Sequence, residues 1–459
     1  MYARGLLLVA VLCAAGTRPD LVHAEEPALA GPGTPADFRE VIQRAKTRVF
    51  PALVHVVCIR EELDEGKRTT SQVGGSGVLV SGNGEFLTNW HVIDKAIDVR
   101  CMLLDGRSFQ ARILGADEST DVGLCRIDAP EGTSFPHALL GDSSTLVEGD
   151  FVMAMGAPWG LSRSVSLGIV SCTQRVLEDD SEYSVWLQTD ASISPGNSGG
   201  PLVDTEGRVV GLNARGMRSG GDMGFAIPAA TIADVIGPLR KHGRVPWSWM
   251  GLQLQPLQDF RRNMAFGGAR GVIVAGTDPD SPARAAGLRP NDRLVAVDGM
   301  PVTARQGEDL PALRRKLGLL PTATTARLAV ERGGEQLTID VEVLERGRVD
   351  GDAMELLRWD FSVKQINRFA HPDMWFHRKQ GVFVYGVKDP GNAETAGLRH
   401  GDILVRVGKL EVRTLEELRA AHEAAIKKLP EHDEVLLTVL RSGLQWQVVL
   451  DYGRDYERR

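Results

Sequence analysis

Gly196-Asn197-Ser198-Gly199-Gly200-Pro201 decides how this chain is read once it is set beside two earlier stretches, Thr88-Asn89-Trp90-His91-Val92 and Asp121-Val122-Gly123-Leu124. A serine hydroxyl is too weak an acid to attack an amide at neutral pH, so a neutral imidazole must take its proton as the bond forms. His91 is the expected base, and Asp121 the expected carboxylate that fixes its tautomer and stabilises the imidazolium. Glycines around Ser198 permit a tight turn in which backbone N–H groups converge on the oxyanion of a tetrahedral intermediate. The expected oxyanion hole is the backbone of Gly196, Asn197 and Ser198, with the N–H groups of Gly196 and Ser198 as donors; losing one such donor costs about a hundred- to a thousandfold in rate. Asp117 and Glu118, close to Asp121, read as solvated loop acids.

The same letters satisfy Gly-x-Ser-x-Gly, the nucleophile turn of α/β-hydrolases, so an esterase is a competing reading. Chain order separates the two. An elbow serine precedes its acid and base and joins a strand to a helix. Here His and Asp come first, and Ser198 lies between two apparent strands, 184–188 and 208–212. The order His, Asp, Ser is that of the chymotrypsin-like double β-barrel.

These residues resemble the HtrA (Deg) serine proteases, trypsin-like enzymes followed by PDZ domains. The resemblance also rests on Gly75-Ser76-Gly77-Val78, Met155-Gly156-Ala157-Pro158-Trp159-Gly160-Leu161, Gly168-Ile169-Val170-Ser171, Thr189-Asp190-Ala191-Ser192-Ile193-Ser194-Pro195 and Gly224-Phe225-Ala226-Ile227-Pro228. It implies an ATP-independent endopeptidase acting on unfolded or damaged proteins, assembled as a homotrimer or a multiple of trimers and using no cofactor. It further implies that Ile193, with Leu212, Asn213 and Ala214, lines the pocket for the residue before the scissile bond, and that small aliphatic residues are preferred there. The contrasting possibility is a catalytically quiet holdase chaperone or PDZ scaffold.

With 459 residues the chain has room for about three domains. Its net charge of -7, with both signs mixed, argues against a nucleic-acid surface. A basic start followed by the apolar run 5–15 reads as a signal peptide over residues 1–24, so the expected location is outside the cytoplasm, most naturally the periplasm, with an uncleaved membrane tether as the alternative. Residues 25–51 are expected to hold a flexible lead and a short helix from Phe38 to Ala45, in which Phe38 belongs either to a subunit contact or to docking on its own barrel. Short β-rich runs separated by turn residues then predict the protease barrels over 52–242, closed by a helix at 231–239. His55 alternates with apolar neighbours and reads as structural. The loop 175–183 reads as solvated surface, with an activation sensor as the alternative, and 60–73 as a brief charged loop.

Beyond a linker over 241–246, residues 271–299 match residues 381–409 without a gap, at an offset of 110. Two copies of one domain are expected, over 247–345 and 357–453, and the repeated strand, Ala-Gly-Leu turn, strand pattern resembles PDZ domains. Such a domain adds an extended peptide to its sheet edge and holds the terminal carboxylate on backbone N–H groups. In the first copy Trp249-Met250-Gly251-Leu252 resembles the carboxylate loop; in the second, Trp359-Asp360-Phe361-Ser362 puts an acid there, which predicts repulsion of a peptide C-terminus and a role in assembly. Cys58, Cys101, Cys125 and Cys172 fall in strand-like segments without Cys-x-x-Cys spacing and read as buried core side chains. No metal is expected.

Overall fold

The computed structural model describes residues 37–64, 67–157, 163–177, 182–217, 223–260, 270–347 and 353–456. The expected leader, the stretch 158–162 of the motif around Gly156, and parts of the loops 175–183 and 213–223 lie outside the described residues.

Two closed barrels form the first half. The strands of the first run in the order Leu53–Asp64, Lys67–Leu79, Glu85–Asn89, Val122–Ile127, Ser108–Asp117 and Ala96–Met102. The second runs Pro201–Val203, Val209–Met217, Met223–Pro228, Trp186–Thr189, Ser164–Arg175 and Phe151–Gly156. Every strand pair within them is antiparallel, so the esterase reading, which needs a largely parallel sheet around its nucleophile, does not apply. Apolar side chains of both barrels and of the closing helix share one core, in which Leu53, Phe86 and Leu124 join Met153, Leu212, Ile232 and Leu239.

The closing helix spans Ala229–His242, longer at both ends than expected, and stops at Gly243 in the left-handed region with φ 73°. Arg240 from this helix and Arg126 from the first barrel both reach the buried carboxylate of Glu85, at 2.8 and 2.5 Å. The helix near the N-terminus spans Phe38–Val49, and Phe38 meets Phe151 edge-on at 4.8 Å while remaining 45% exposed. His55 links the barrels through Nδ1 and the carbonyl of Ala157 at 2.8 Å. The charged stretch 60–73 is not a loop but part of a long hairpin, Leu53–Asp64 with Lys67–Leu79.

Cys58, Cys101 and Cys125 are buried in the first barrel, and all four described cysteines are free. Burial pushes the thiols of Cys58 and Cys101 up to about 12, which keeps them un-ionised and inert.

Two sheets follow. In the first the order is Ser248–Trp249, Glu335–Glu345, Thr324–Arg332, Arg293–Val297, Val272–Thr277, Leu252–Gln255. In the second it is Ala353–Leu356, Phe361–Gln365, Val382–Val387, Ile403–Val407, Glu434–Arg441, Leu444–Asp451. The internal repeat extends to side-chain bonding: Arg332 Nε meets Asp292 at 2.7 Å and Gly287 O accepts from its Nη2, while Arg441 does the same with Asp402, at 2.7 Å, and Gly397 O. The second sheet starts at Ala353, ahead of the expected 357, because Met354 and Leu356 turn inward into its core, while Glu355 between them meets Arg68 of the first barrel's hairpin at 3.5 Å. Nothing in the first copy corresponds to that strand, so the repeat gave no sign of it.

Candidate active site

His91 sits on the short helix Trp90–Ile93, which follows directly from the buried strand Glu85–Asn89. Strand pairing of Asn89 with Val122 puts this helix beside Asp121. Nδ1 of His91 lies 2.9 and 2.8 Å from Oδ1 and Oδ2 of Asp121, and the His91 backbone N–H donates to Oδ1 at 3.0 Å. Nδ1 bonded to the carboxylate leaves Nε2 as the nitrogen free to take a proton. Asp121 is buried while the His91 side chain is 39% exposed, so the acid is shielded and the base is accessible.

Asp121 adopts φ 55°, uncommon for a residue other than glycine. Its backbone is held from both sides. The N–H donates to Glu118 O at 3.1 Å, and its carbonyl accepts from Trp90 N at 3.0 Å and from Asn89 Nδ2 at 3.2 Å. The turn before it is capped by Asp117, whose Oδ2 accepts from the N–H of Thr120 at 2.9 Å and from its hydroxyl at 2.6 Å. Oδ1 of Asp117 accepts from the indole N–H of Trp247 at 2.7 Å. Asp117 is therefore not a solvated loop acid, as its neighbourhood in sequence suggested: it is buried, and burial raises its pKa against the three hydrogen bonds that lower it.

Ser198 lies on the turn between Trp186–Thr189 and Pro201–Val203. Gly199 has φ 84°, and a Cβ there would lie 2.1 Å from Ser76 O, so only glycine fits. Ser76 ties the turn to the first barrel: its N–H donates to Ser198 O at 2.7 Å, its hydroxyl to Gly196 O at 2.6 Å, and the hydroxyl in turn accepts from Ala157 N at 2.8 Å. The N–H groups of Gly196 and Ser198 make no hydrogen bond among the described residues, whereas that of Asn197 is committed to Ser194 O at 2.9 Å. Two donors are thus left open on the turn.

The Ser198 hydroxyl donates to Ala214 O at 2.8 Å. No hydrogen bond joins it to His91 among the described residues, an arrangement common before substrate arrives. Leu212 and Asn213 are fully buried, and their side chains serve the barrel: Asn213 Nδ2 donates to Met155 O and Pro201 O at 3.1 and 3.0 Å. Ile193 is half-buried, and a Cβ on Gly216 or Gly224 would lie 2.4 Å from its carbonyl or 2.9 Å from its Cδ1. Gly216 and Gly224 thus pack directly on Ile193.

In the first sheet after the barrels, Gly251 takes φ 76° and a Cβ there would lie 2.2 Å from Ser281 Cβ. The N–H groups of Met250 and Gly251 are without hydrogen bonds among the described residues, and Leu252–Gln255 is the edge strand. The Trp249 side chain is turned away, donating to Asp278 at 3.1 Å beneath the guanidinium of Arg368, 4.3 Å from its ring. This domain grips the protease through Arg315, bonded to Asp234 and to Tyr183 O at 2.8 Å each, and Arg346, bonded to Glu182 and the Tyr183 hydroxyl at 3.0 and 2.9 Å. Tyr183 stacks on Trp247 at 4.2 Å, so the domain contact and the turn holding Asp121 meet at one indole.

Ser76, Thr120 and Trp247 were the supports that sequence reading missed. Ser76 lies inside the stretch Gly75-Ser76-Gly77-Val78, but Trp247 has no local pattern to mark it.

Residues 75–212 match the trypsin-like peptidase domain and residues 248–343 the PDZ domain. A probable periplasmic serine endoprotease DegP-like from Halomonas elongata is 36% identical over 387 residues, covering 82% of this chain and 78% of its own. A protein of the same description from Pseudomonas putida is 34% identical, over 94% and 85%. Among solved structures, the HtrA-type protease AlgW with tripeptide superposes with a TM-score of 0.58 at 30% identity, covering 67% of this chain and 97% of that one. The serine endoprotease from Yersinia pestis gives 0.51 at 31%, covering 66% and 97%. Whole-length similarity, the double barrel and the PDZ architecture together make this chain a member of the HtrA-type, DegP-like family of serine endoproteases.

Proposed function

We propose that Ser198, His91 and Asp121 are the working triad of this endopeptidase. The observation that carries the reading is the His91 ring held by both oxygens of the Asp121 carboxylate, together with a serine turn that Ser76 ties to the same barrel and that presents two open N–H groups. The Ser198 hydroxyl turns from Ala214 O to the substrate carbonyl, and its proton passes to His91 Nε2. The new C–O bond gives a tetrahedral oxyanion held by the N–H groups of Gly196 and Ser198. His91 then protonates the departing amine, and water releases the acyl group from Ser198 by the reverse sequence.

The substrates are unfolded or damaged proteins reached outside the cytoplasm, in the periplasm, without ATP. Ile193, with Gly216 and Gly224 packed on it, supports a small aliphatic residue before the scissile bond, with Ala214 supplying backbone contact. The open edge Leu252–Gln255 and the loop Trp249-Met250-Gly251-Leu252 bind apolar C-termini, while Phe38 and Phe151 belong to the contact of a homotrimer. The resting bond from Ser198 to Ala214 O supports a quiet state that substrate or peptide relieves.

Incubation of the parent and Ser198→Ala proteins with casein tests the reading. Fragmentation by the parent alone is expected, with small aliphatic residues on the acyl side of the cuts; equal fragmentation by both, or none by either with peptide added, would overturn it.

A further inference from the structure

The two PDZ sheets differ at the edge where a peptide would be added. In the first, Leu252–Gln255 pairs only with Val272–Thr277 and forms the end of the sheet, and the chain reaches it from Ser248–Trp249 on the opposite end. In the second, the corresponding strand Phe361–Gln365 is covered by Ala353–Leu356, which runs antiparallel to it with Leu356 opposite Phe361 and Met354 opposite Val363.

That added strand occupies the place of a bound peptide. It packs against the helix Leu415–Ile426 as well as against Phe361–Gln365. Met354 and Leu356 are 7% and 1% exposed, and they share a core with Trp359, Leu415 and Leu418. The carbonyl of Leu356 accepts the N–H groups of both Trp359, at 3.0 Å, and Asp360, at 2.9 Å. In the first domain the N–H groups at the matching places, Met250 and Gly251, are free of hydrogen bonds among the described residues. Two donors that are open in one copy are thus closed in the other by the main-chain oxygen of the strand's last residue, across the turn 357–360 that joins it to Phe361. β-Augmentation, an apolar side chain at the loop, a second two residues earlier and backbone capture of the end oxygen are the elements of C-terminal peptide recognition.

We propose that the second PDZ domain has a working site for apolar C-termini that is filled by this chain's own segment 353–356. The inference goes beyond the proteolytic reading and does not depend on it. The occupant states the ligand chemistry: an extended chain with a large apolar residue last and another two places before it, as in Met354-Glu355-Leu356. The occupant is joined to Phe361–Gln365 by the turn 357–360, and its effective concentration is of the millimolar order, enough to exclude free peptides of micromolar affinity by about a hundredfold or more.

The test uses the full chain carrying Ser198→Ala and a decapeptide ending in Ala-Met-Glu-Leu with a free carboxylate. In one protein 353–356 is intact; in the other Ala353→Gly, Met354→Ser, Glu355→Gly and Leu356→Ser are made together. Calorimetric titration is expected to show one more peptide site per chain in the substituted protein than in the intact one. Hydrogen exchange of 361–365 and 415–426 is expected to slow on peptide addition only in the substituted protein. Equal stoichiometry with no added protection would overturn the proposal. If the fourfold variant does not fold, Met354→Gly with Leu356→Gly, which removes both apolar anchors and loosens the strand, decides in the same way: an added site supports the proposal, and the stoichiometry of the intact chain overturns it.

Discussion

Where the first PDZ domain has Gly251 against Ser281, the second has Asp360 against Gly391, and the exchange of bulk shows how one loop shape is built by two chemistries. A Cβ on Gly251 would run into Ser281, while a Cβ on Gly391 would lie 2.9 Å from that of Asp360. Each loop carries its left-handed residue, Gly251 at φ 76° and Asp360 at φ 60°, and each carbonyl accepts an N–H from the facing turn, from Asp278 in one and Lys388 in the other. Only one of the pair needs to be small. The Asp360 carboxylate does not face an incoming peptide, as expected from sequence; it is buried, accepts the N–H of Asn392 at 3.0 Å and pairs with Lys388 at 3.4 Å. An acid in the loop is thus a structural ion pair, and what closes the site is the strand 353–356.

The largest effect that sharpens this contrast is expected from Asp360→Ala, which leaves the buried Lys388 ammonium without its carboxylate. Loss of about 4 kcal/mol from the second domain is expected, with the first unaffected; urea unfolding followed separately for the two domains checks it. Next comes Gly251→Asp, whose clash with Ser281 should cost the first domain about 3 kcal/mol. The double change Gly251→Asp with Ser281→Gly should recover most of that loss. Independent, additive effects of the two substitutions would break the comparison.

A smaller, pH-dependent difference is expected from His422, present only in the second copy. Its ring packs edge-on against Trp359 at 4.9 Å, and burial lowers its pKa from 6.5 to about 4. The unfolded chain then binds the proton more readily between those values, so stability falls as pH drops from about 6.5 towards 4. At pH 5 the second domain should lose about 2 kcal/mol relative to neutral pH. Thermal melts of the parent and His422→Leu between pH 7 and 5 check this, and an equal slope in both would contradict it. The smallest effect concerns how the domains are tied. Lys379 and Asp280 join the two PDZ domains through an exposed pair, so Lys379→Ala should change stability by less than about 0.5 kcal/mol.

Much of the site was legible because its chemistry demands particular residues in short, fixed contexts. Ser198 needs glycine beside it where Ser76 O leaves no room for a Cβ, and His91 must follow a strand that pairs next to Asp121. The second PDZ domain was legible from Gly381 to Val407 because the repeat fixes its turns, whereas the bond from Arg441 to Asp402 lies beyond the repeat and was not. Supports set by tertiary packing were not legible. Asp117 looks like any turn acid until Trp247, 130 residues later, covers it. Strand 353–356 is four residues of unremarkable sequence, and its partner is chosen by a groove that forms only on folding. Leu212 and Asn213 were placed near the substrate by the resemblance, but this strand is buried on both faces, with Leu212 in the core and Asn213 bonded to Met155 O and Pro201 O.

Active-site labelling with a fluorophosphonate tests most directly the claim that Ser198 is made nucleophilic by His91. The account predicts a single adduct per chain, mapped by mass spectrometry to Ser198, and a fall in labelling rate of about a thousandfold or more in His91→Ala. Labelling at another serine, or an undiminished rate in the His91→Ala protein, would contradict it.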